Sequence, residues 1–284
     1  MIPNLFISAL PLLLALLFQP GPNEKTQPES TAASVSQPVC LLQSYTDGDI
    51  RQGGLRTISM AYDAQNRIIR QMGDDGSIAE ISWSGGEISS VNLTVEGELI
   101  MQTRFSYQGS DILVEIAEEG DLVMRLEMSR DAQGRVTGAR EYEYEAGEWT
   151  LYASETYVWD GNNIASSQTV IRPGHRREEV WINTYTYDTH PNAFGGMAYG
   201  IIMLASGAIG EGFAGYASAN NLIAYRQRSA DGLADIRDQA AALTGVGADW
   251  DLTEWDITYD PNGNIQRLVD PDSGMTRDFT WRCN

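Results

Sequence analysis

Ile257-Thr258-Tyr259-Asp260-Pro261-Asn262-Gly263-Asn264-Ile265 is the stretch on which the fold turns. Its first three residues read as the end of a strand, Asp260 opens a turn, Gly263 closes it, and Ile265 begins a second strand. Aspartate bonds its own backbone at such a reversal, and glycine enters positive φ without a Cβ clash. The same order of residue types returns in Tyr62-Asp63-Ala64-Gln65-Asn66-Arg67-Ile68 and in Arg130-Asp131-Ala132-Gln133-Gly134-Arg135-Val136. Looser copies centre on Trp83, Tyr107, Trp159 and Tyr187, and Trp281 ends the series. A recurrence of roughly 21 to 29 residues marks one supersecondary unit repeated along the chain. The series has one large gap, between Tyr187 and Tyr259.

Working outward from these turns, the intervening segments alternate polar and apolar residues with the two-residue period of a half-buried strand. Glu141-Tyr142-Glu143-Tyr144-Glu145 is the plainest case, and Arg125-Leu126-Glu127-Met128 repeats it. Such runs place carboxylates on one face and rings or aliphatics on the other. The carboxylate face reads as a solvated outer face, partly neutralised by Arg125 and Arg140. Turn pairs such as Gly85-Gly86, Glu96-Gly97, Glu119-Gly120, Asp160-Gly161 and Pro173-Gly174 divide the chain into roughly sixteen strands. The expected fold is all-β: a large antiparallel meander of repeated hairpins, curled or barrel-like, with a small helical insertion.

The order Tyr-x-Tyr-Asp-x-x-Gly-Asn/Arg-Ile, best kept at residues 257–265, resembles the YD repeat of RHS-type proteins. More narrowly, the chain resembles a family of exported Bacteroidetes proteins of unknown function that carry degenerate copies of this unit. Tyr185-Thr186-Tyr187-Asp188, Pro191-Asn192-Ala193-Phe194 and Ser218-Ala219-Asn220-Asn221-Leu222 support the likeness, which covers most of residues 40–284. It implies a large antiparallel sheet and no catalytic residues that could be carried over. Members of that family are often lipoproteins, whereas this chain lacks a convincing lipobox.

The N-terminus reads as an export signal. Leu5 to Phe18 is apolar apart from Ser8 and Pro11, which is too short for a comfortable membrane span of about 20 residues. No Lys or Arg precedes it, and an uncleaved anchor is the alternative reading. A signal peptide is therefore expected over residues 1–19, a linker rich in Pro, Ser, Thr, Gln and Glu over 20–39, and the repeat domain over 40–284. The chain has two cysteines, Cys40 where the domain opens and the penultimate Cys283. In an oxidising compartment a disulfide between them would tie the domain's ends together. The rival is a lipid-modified Cys40, which the preceding Pro38-Val39 and the distance from the apolar run disfavour.

The gap in the repeat series is the least strand-like part. Met197 to Ile209 carries no charge, and Leu233, Ile236, Ala240 and Leu243 recur at helical spacing before Gly245. One or two helices are expected within about 195–250, packed against a sheet opening or into a barrel. The apolar run is too short to argue for membrane insertion.

Composition narrows the chemistry. The sequence has 39 acidic and 19 basic residues for a net charge of -20, which disfavours nucleic acid and anionic membrane as partners. The one lysine, Lys25, lies in the expected linker, so the domain supplies no Schiff-base amine or phosphate-binding lysine. His175 and His190 sit beside prolines without metal-ligand spacing, and no G-x-S-x-G elbow is present. No cofactor, catalytic residue or metal ligand is assigned. The acidic turns at Asp74-Asp75-Gly76 and Asp260–Asn264 are explained by turn chemistry better than by Ca²⁺. Glu141, Glu143 and Glu145 stand about 7 Å apart along one strand face, the spacing that an acid/base glycosidase would need. Trp159, Trp181 and Tyr187 are the candidate rings for stacking on a sugar, against the alternative that they fill the core. The expectation is a non-enzymatic, exported protein of the periplasm, cell surface or medium, with a binding or structural role and no transmembrane span in its mature domain. Its candidate partners are a glycan or another envelope protein, with a carbohydrate-binding module as the alternative and a glycoside hydrolase behind it.

Overall fold

The structure is a computed structural model that describes residues 40–49, 54–145, 147–176, 178–194, 196–205, 211–230, 251–271 and 274–283. The export signal, the linker and the helical pattern over Asp231–Leu243 lie outside those residues. The described chain forms one 17-stranded sheet in which every ladder is antiparallel. Its first half comprises β1 (Cys40–Asp49), β2 (Gly54–Tyr62), β3 (Ile68–Gly73), β4 (Ser77–Ser84), β5 (Glu87–Val95), β6 (Glu98–Gln108), β7 (Asp111–Glu118), β8 (Asp121–Arg130) and β9 (Val136–Glu145). The remainder comprises β10 (Glu148–Asp160), β11 (Asn163–Ile171), β12 (Glu179–Pro191), β13 (Asn220–Ala230), β14 (Asp251–Glu254), β15 (Asp256–Tyr259), β16 (Ile265–Val269) and β17 (Met275–Cys283). The expected all-β meander is thus the observed fold.

Neighbours in sequence are neighbours in the sheet, and β1 pairs with both β2 and β17, so the sheet curls nearly into a barrel. The circuit is irregular at one place. β14 pairs with β13 while β15, one residue further on, pairs with β16, and Trp255 between them donates its backbone N–H to Ile223. Where β15 leaves β13, side chains replace the ladder. Asp188 accepts from the Tyr259 hydroxyl and from Asn221 Nδ2 at 3.1 Å, and His190 stacks on Tyr259 at 3.9 Å.

The repeat has a physical unit that recurs three times. In each, one carboxylate oxygen of the aspartate accepts two backbone N–H groups: Asp63 from Gln65 and Arg67 at 2.9 Å, Asp131 from Gln133 and Arg135 at 2.9 and 3.0 Å, Asp260 from Asn262 and Asn264 at 2.8 and 2.9 Å. The other oxygen takes the side chain of the fourth residue on: Arg67, Arg135 or Asn264. The residue before that one is left-handed, with φ of 60° at Asn66, 80° at Gly134 and 83° at Gly263, which explains Asn or Gly there. A tryptophan from a following strand then donates its indole N–H to the carbonyl that starts the new strand: Trp83 to Ile68 at 2.7 Å, Trp159 to Val136 at 2.8 Å, Trp281 to Ile265 at 2.6 Å. Arg67 and Arg135 lie 5.2 and 5.3 Å from the centres of the Trp83 and Trp159 rings.

Partial desolvation raises the carboxyls of Asp63, Asp131 and Asp260, but these hydrogen bonds outweigh it and hold all three below the ordinary carboxylate range. Asp131→Ala is expected to lower the unfolding free energy by about 1 to 3 kcal/mol, the range for hydrogen bonds to a charged group. Urea denaturation at neutral pH measures it. Because these carboxyls bind protons less readily folded than unfolded, that contribution is lost as pH falls through and below the usual carboxylate range.

The buried face of the sheet encloses the insertion, which forms α1 (Met197–Ala205) and α2 (Glu211–Ala217). Tyr199 through Ala205 of α1 are all buried, as befits a helix that is apolar on every side. Phe194, just before α1, packs on Tyr45 of β1 at 5.8 Å and Phe279 of β17 at 5.5 Å, while Phe213 of α2 meets Tyr157 of β10 at 4.5 Å. The insertion therefore touches distant arcs of the sheet and fills the space between them. The two helices approach closely at Gly200, where a Cβ would come within 2.6 Å of Ala217 Cβ and 2.8 Å of the Phe213 ring. No helix among the described residues is long and apolar enough to cross a membrane. The opposite face sets oppositely charged residues across from one another in register, including Arg104 and Glu115, Glu115 and Arg125, and Glu127 and Arg140.

Candidate functional site

Polar residues interrupt the apolar face on β9 to β13. Strand alternation and register bring Tyr157, Ser167, Asn183 and Gln227 directly opposite one another on four successive strands, with Glu155 opposite Thr169 one row away. Most are buried: Ser167 is 0% exposed, Asn183 1%, Glu155 3% and Thr169 5%. Buried polar groups on this scale survive only when hydrogen-bonded. Gln227 Nε2 donates to Asn183 Oδ1 at 3.0 Å, Asn183 Nδ2 donates to Ser167 Oγ at 3.3 Å, and Ser167 and Tyr185 hydroxyls lie 2.7 Å apart. Glu155 accepts from the Tyr157 hydroxyl and from Thr169 Oγ1 at 3.1 Å.

Glu141 on β9 lies opposite Ala153, one row beyond the Glu155–Thr169 pair, and differs from these residues. It is 8% exposed, and no described residue donates a hydrogen bond to its carboxyl. Beside it lies a cavity of about 10 Å³ lined by Glu141, Glu155, Thr169, Leu126, Ala139 and Ala153, among others. Burial, with Glu143 and Glu155 as like-charged neighbours, pushes the Glu141 carboxyl up to about 7. Burial and Glu145 also raise Glu143, against a lowering by Arg172. Burial and the Glu155 charge raise the Tyr157 phenol well above its ordinary value.

This placement corrects the sequence reading. Glu141, Glu143 and Glu145 do share a face, but it is the inner one, running from buried Glu141 to exposed Glu145 at the strand's end. Arg125 and Arg140 are on the other side of the sheet, where Arg125 pairs with Glu127 and lies 5.8 Å from the Tyr142 ring centre. Tyr144, on the ring-bearing face, is 46% exposed. Alternation fixes which residues share a face; the buried neighbours Val136, Ala139 and Leu126 decide which face turns inward.

A carboxylic acid raised towards neutrality beside a second carboxyl that accepts two hydrogen bonds has the make-up of an acid/base pair. Its cavity is about the size of one water, so no sugar ring reaches it. The larger concavity, about 320 Å³, is elsewhere, on the outer face of β6 to β8, where Leu99, Ile100, Ala117 and Leu122 flank Arg104 and Glu115.

The three candidate stacking rings are not assembled into one surface. Trp159 is half-buried in the repeat unit, and its N–H and one face are taken by Val136 and Arg135. Tyr187 is half-buried against the core, bonded to Ser218 at 3.0 Å. Trp181 is half-buried on β12, opposite Thr169 and two residues from Asn183. The polar row itself, Glu155, Thr169, Asn183 and Gln227, has no signature in the sequence, because it exists only once four strands are in register. The turn carboxylates read against Ca²⁺ are occupied: Asp260 by Asn262 and Asn264, Asp75 by Ser77 and Arg56.

No protein-family profile matches the chain, and no curated protein matches it. Solved structures do resemble it in fold. A porin-like protein from Bacteroides vulgatus is 12% identical with a TM-score of 0.39, over 84% of this chain and 98% of that one. A porin-like protein from Bacteroides uniformis is 13% identical with a TM-score of 0.33, over 84% and 96%. The Photorhabdus luminescens Tc holotoxin pore is 13% identical with a TM-score of 0.26, over 76% of this chain and 12% of that one. At these scores nothing about what this chain does is drawn from them.

Proposed function

We propose that this chain is an exported, non-enzymatic protein of the cell envelope whose curled, nearly closed sheet presents its outer surface to a partner. The observation that supports this most is the disulfide between Cys40 and Cys283, 243 residues apart in sequence and opposite each other as the end pair of the β1–β17 ladder. Such bonds persist in oxidising compartments. Among the described residues the interior is occupied by the chain's own insertion, and the cavity beside Glu141 is water-sized, which argues for recognition on the outside. The charged residues on the outer face are chemistry that a lipid-facing barrel wall does not carry at mid-depth.

Fractionation of cells producing the full chain tests the reading. The expected product is a chain shortened by about the first 19 residues, as for a signal peptide, in the envelope or medium with both cysteines oxidised. Full-length chain in the cytoplasm with free thiols would overturn it.

A second reading, glycan binding, rests on Trp181, which is half-buried on the same face as the polar row. Glycan-array binding lost in Trp181→Ala but kept in Trp159→Phe would support it; identical arrays for wild type and Trp181→Ala would remove it.

A further inference from the structure

We infer that Glu141 and Glu155 form a proton-operated latch between β9 and β10: the pair shares one proton, carried by Glu141, and its loss to solvent loosens the two strands around their shared cavity.

The two carboxyls line one cavity from adjacent strands, yet their surroundings are unequal. Glu155 is held by Tyr157 and Thr169, donors that suit an ionised carboxylate. Glu141 has no such donor and is nine-tenths buried, so its charged form is compensated only by the little solvent that touches its oxygens. The groups facing it make this worse. On its own strand stands Glu143, and on β10 stand Glu155 and the Tyr157 hydroxyl. On β11 there is the uncharged Thr169, on β8 Leu126, and on α2 the apolar Phe213 beneath Tyr157. Each charge that acts on Glu141 is another carboxylate. Arg172, the nearest cation in electrostatic effect, acts on Glu143 instead.

The ladder's register shifts at the same point. β9 and β10 pair Tyr142 with Leu151 and Glu141 with Ala153, so Tyr152 is an extra residue that bulges opposite the carboxyl. When the proton leaves Glu141, two adjacent buried charges need water, and the bulge is where the strands can part to admit it.

The sign follows from linkage. Glu141 titrates at about 7 in the folded chain against 4.5 for a free glutamate, so between those values the folded state binds the extra proton. The stabilisation is complete below 4.5 and is lost as pH rises through 7. A difference of 7 − 4.5 = 2.5 units corresponds to roughly a 300-fold fall in the folding equilibrium constant. The turn aspartates titrate in the opposite sense and below the ordinary carboxylate range, outside this window.

The test is the unfolding equilibrium of the disulfide-intact chain in urea from about pH 5 to 8.5, a window that brackets the Glu141 transition, for wild type and Glu141→Gln. Wild type should lose stability through pH 7 by up to the stated factor, and Glu141→Gln should lack that step. Hydrogen exchange, corrected for the intrinsic pH dependence, should show amides of Arg140–Glu143 and Ala153–Glu155 losing protection over the same range in wild type only. Parallel profiles for the two proteins would overturn the inference. Should Glu141→Gln fail to fold, infrared titration of wild type decides: a protonated-carboxyl C=O band that disappears near pH 7 supports the latch. Complete ionisation of the carboxyls by about pH 5.5, as for unshifted groups, would refute it.

Discussion

Cys40→Ser/Cys283→Ser is expected to be less stable to urea by about 2 to 5 kcal/mol, with activity assays irrelevant to the outcome. The cross-link spans 243 residues, and by the chain-entropy account so long a loop approaches the upper end of that range. The structural reason to expect much of it is that β1 is a keystone. It is the strand that joins β2 to β17, and Leu42 and Tyr45 on it are 1% and 2% exposed. The Tyr62 hydroxyl also donates to the Leu42 carbonyl. Without the disulfide these contacts remain in the folded state, but the unfolded chain regains the freedom of both its ends. Reductant added to wild type should reproduce the loss, and a change under about 0.5 kcal/mol would place it among ordinary surface effects.

Phe213→Ala is the second large effect, at about 3 to 5 kcal/mol by the cost of truncating a fully buried aromatic. Phe213 is 0% exposed and bridges the insertion to the sheet: its ring meets Tyr157 of β10 on one side and the helix crossing at Gly200 on the other. Helix α2 has seven residues, too few to stand alone in water, so its order comes from this packing. Phe213→Leu should be milder, because it leaves a smaller cavity. Thermal unfolding followed by near-ultraviolet circular dichroism reads both variants. If the insertion belongs to the sheet's cooperative unit, the whole transition moves; a transition unchanged in midpoint would show that the insertion is not part of that unit.

The repeat was legible in the sequence because its turn chemistry is local. Asp63, Asp131 and Asp260 bond within four residues of themselves, so the aspartate, the Gly or Asn three residues on, and the aliphatic after it announce the turn before any partner is known. The recurring tryptophans were visible too, but not their task, since Trp159 reaches a carbonyl 23 residues back. Cys40 and Cys283 were legible by position alone. The insertion was recognisable as a Gly-rich apolar break, and the tight approach at Gly200 gives one of those glycines its reason.

The candidate site was not legible, and the cause is lateral. Glu141 and Glu155 are fourteen residues apart and meet only because a bulge at Tyr152 sets the β9–β10 register. Asn183 and Gln227 meet across the whole insertion. The Glu-Tyr-Glu-Tyr-Glu run misled because polarity suggested which side faces water, whereas the side chains of β8 and β10 decide it. A one-residue change of register would have turned the tyrosines inward instead.

The described chain closes on itself, its first and last strands paired and covalently joined. Intact mass of the native protein after thiol alkylation under denaturing conditions, with and without prior reduction, tests it most directly. The expected result is no alkylated cysteine without reductant and two with it, in a monomeric chain. Two cysteines alkylated without reductant, or a lipid mass on Cys40, would contradict it.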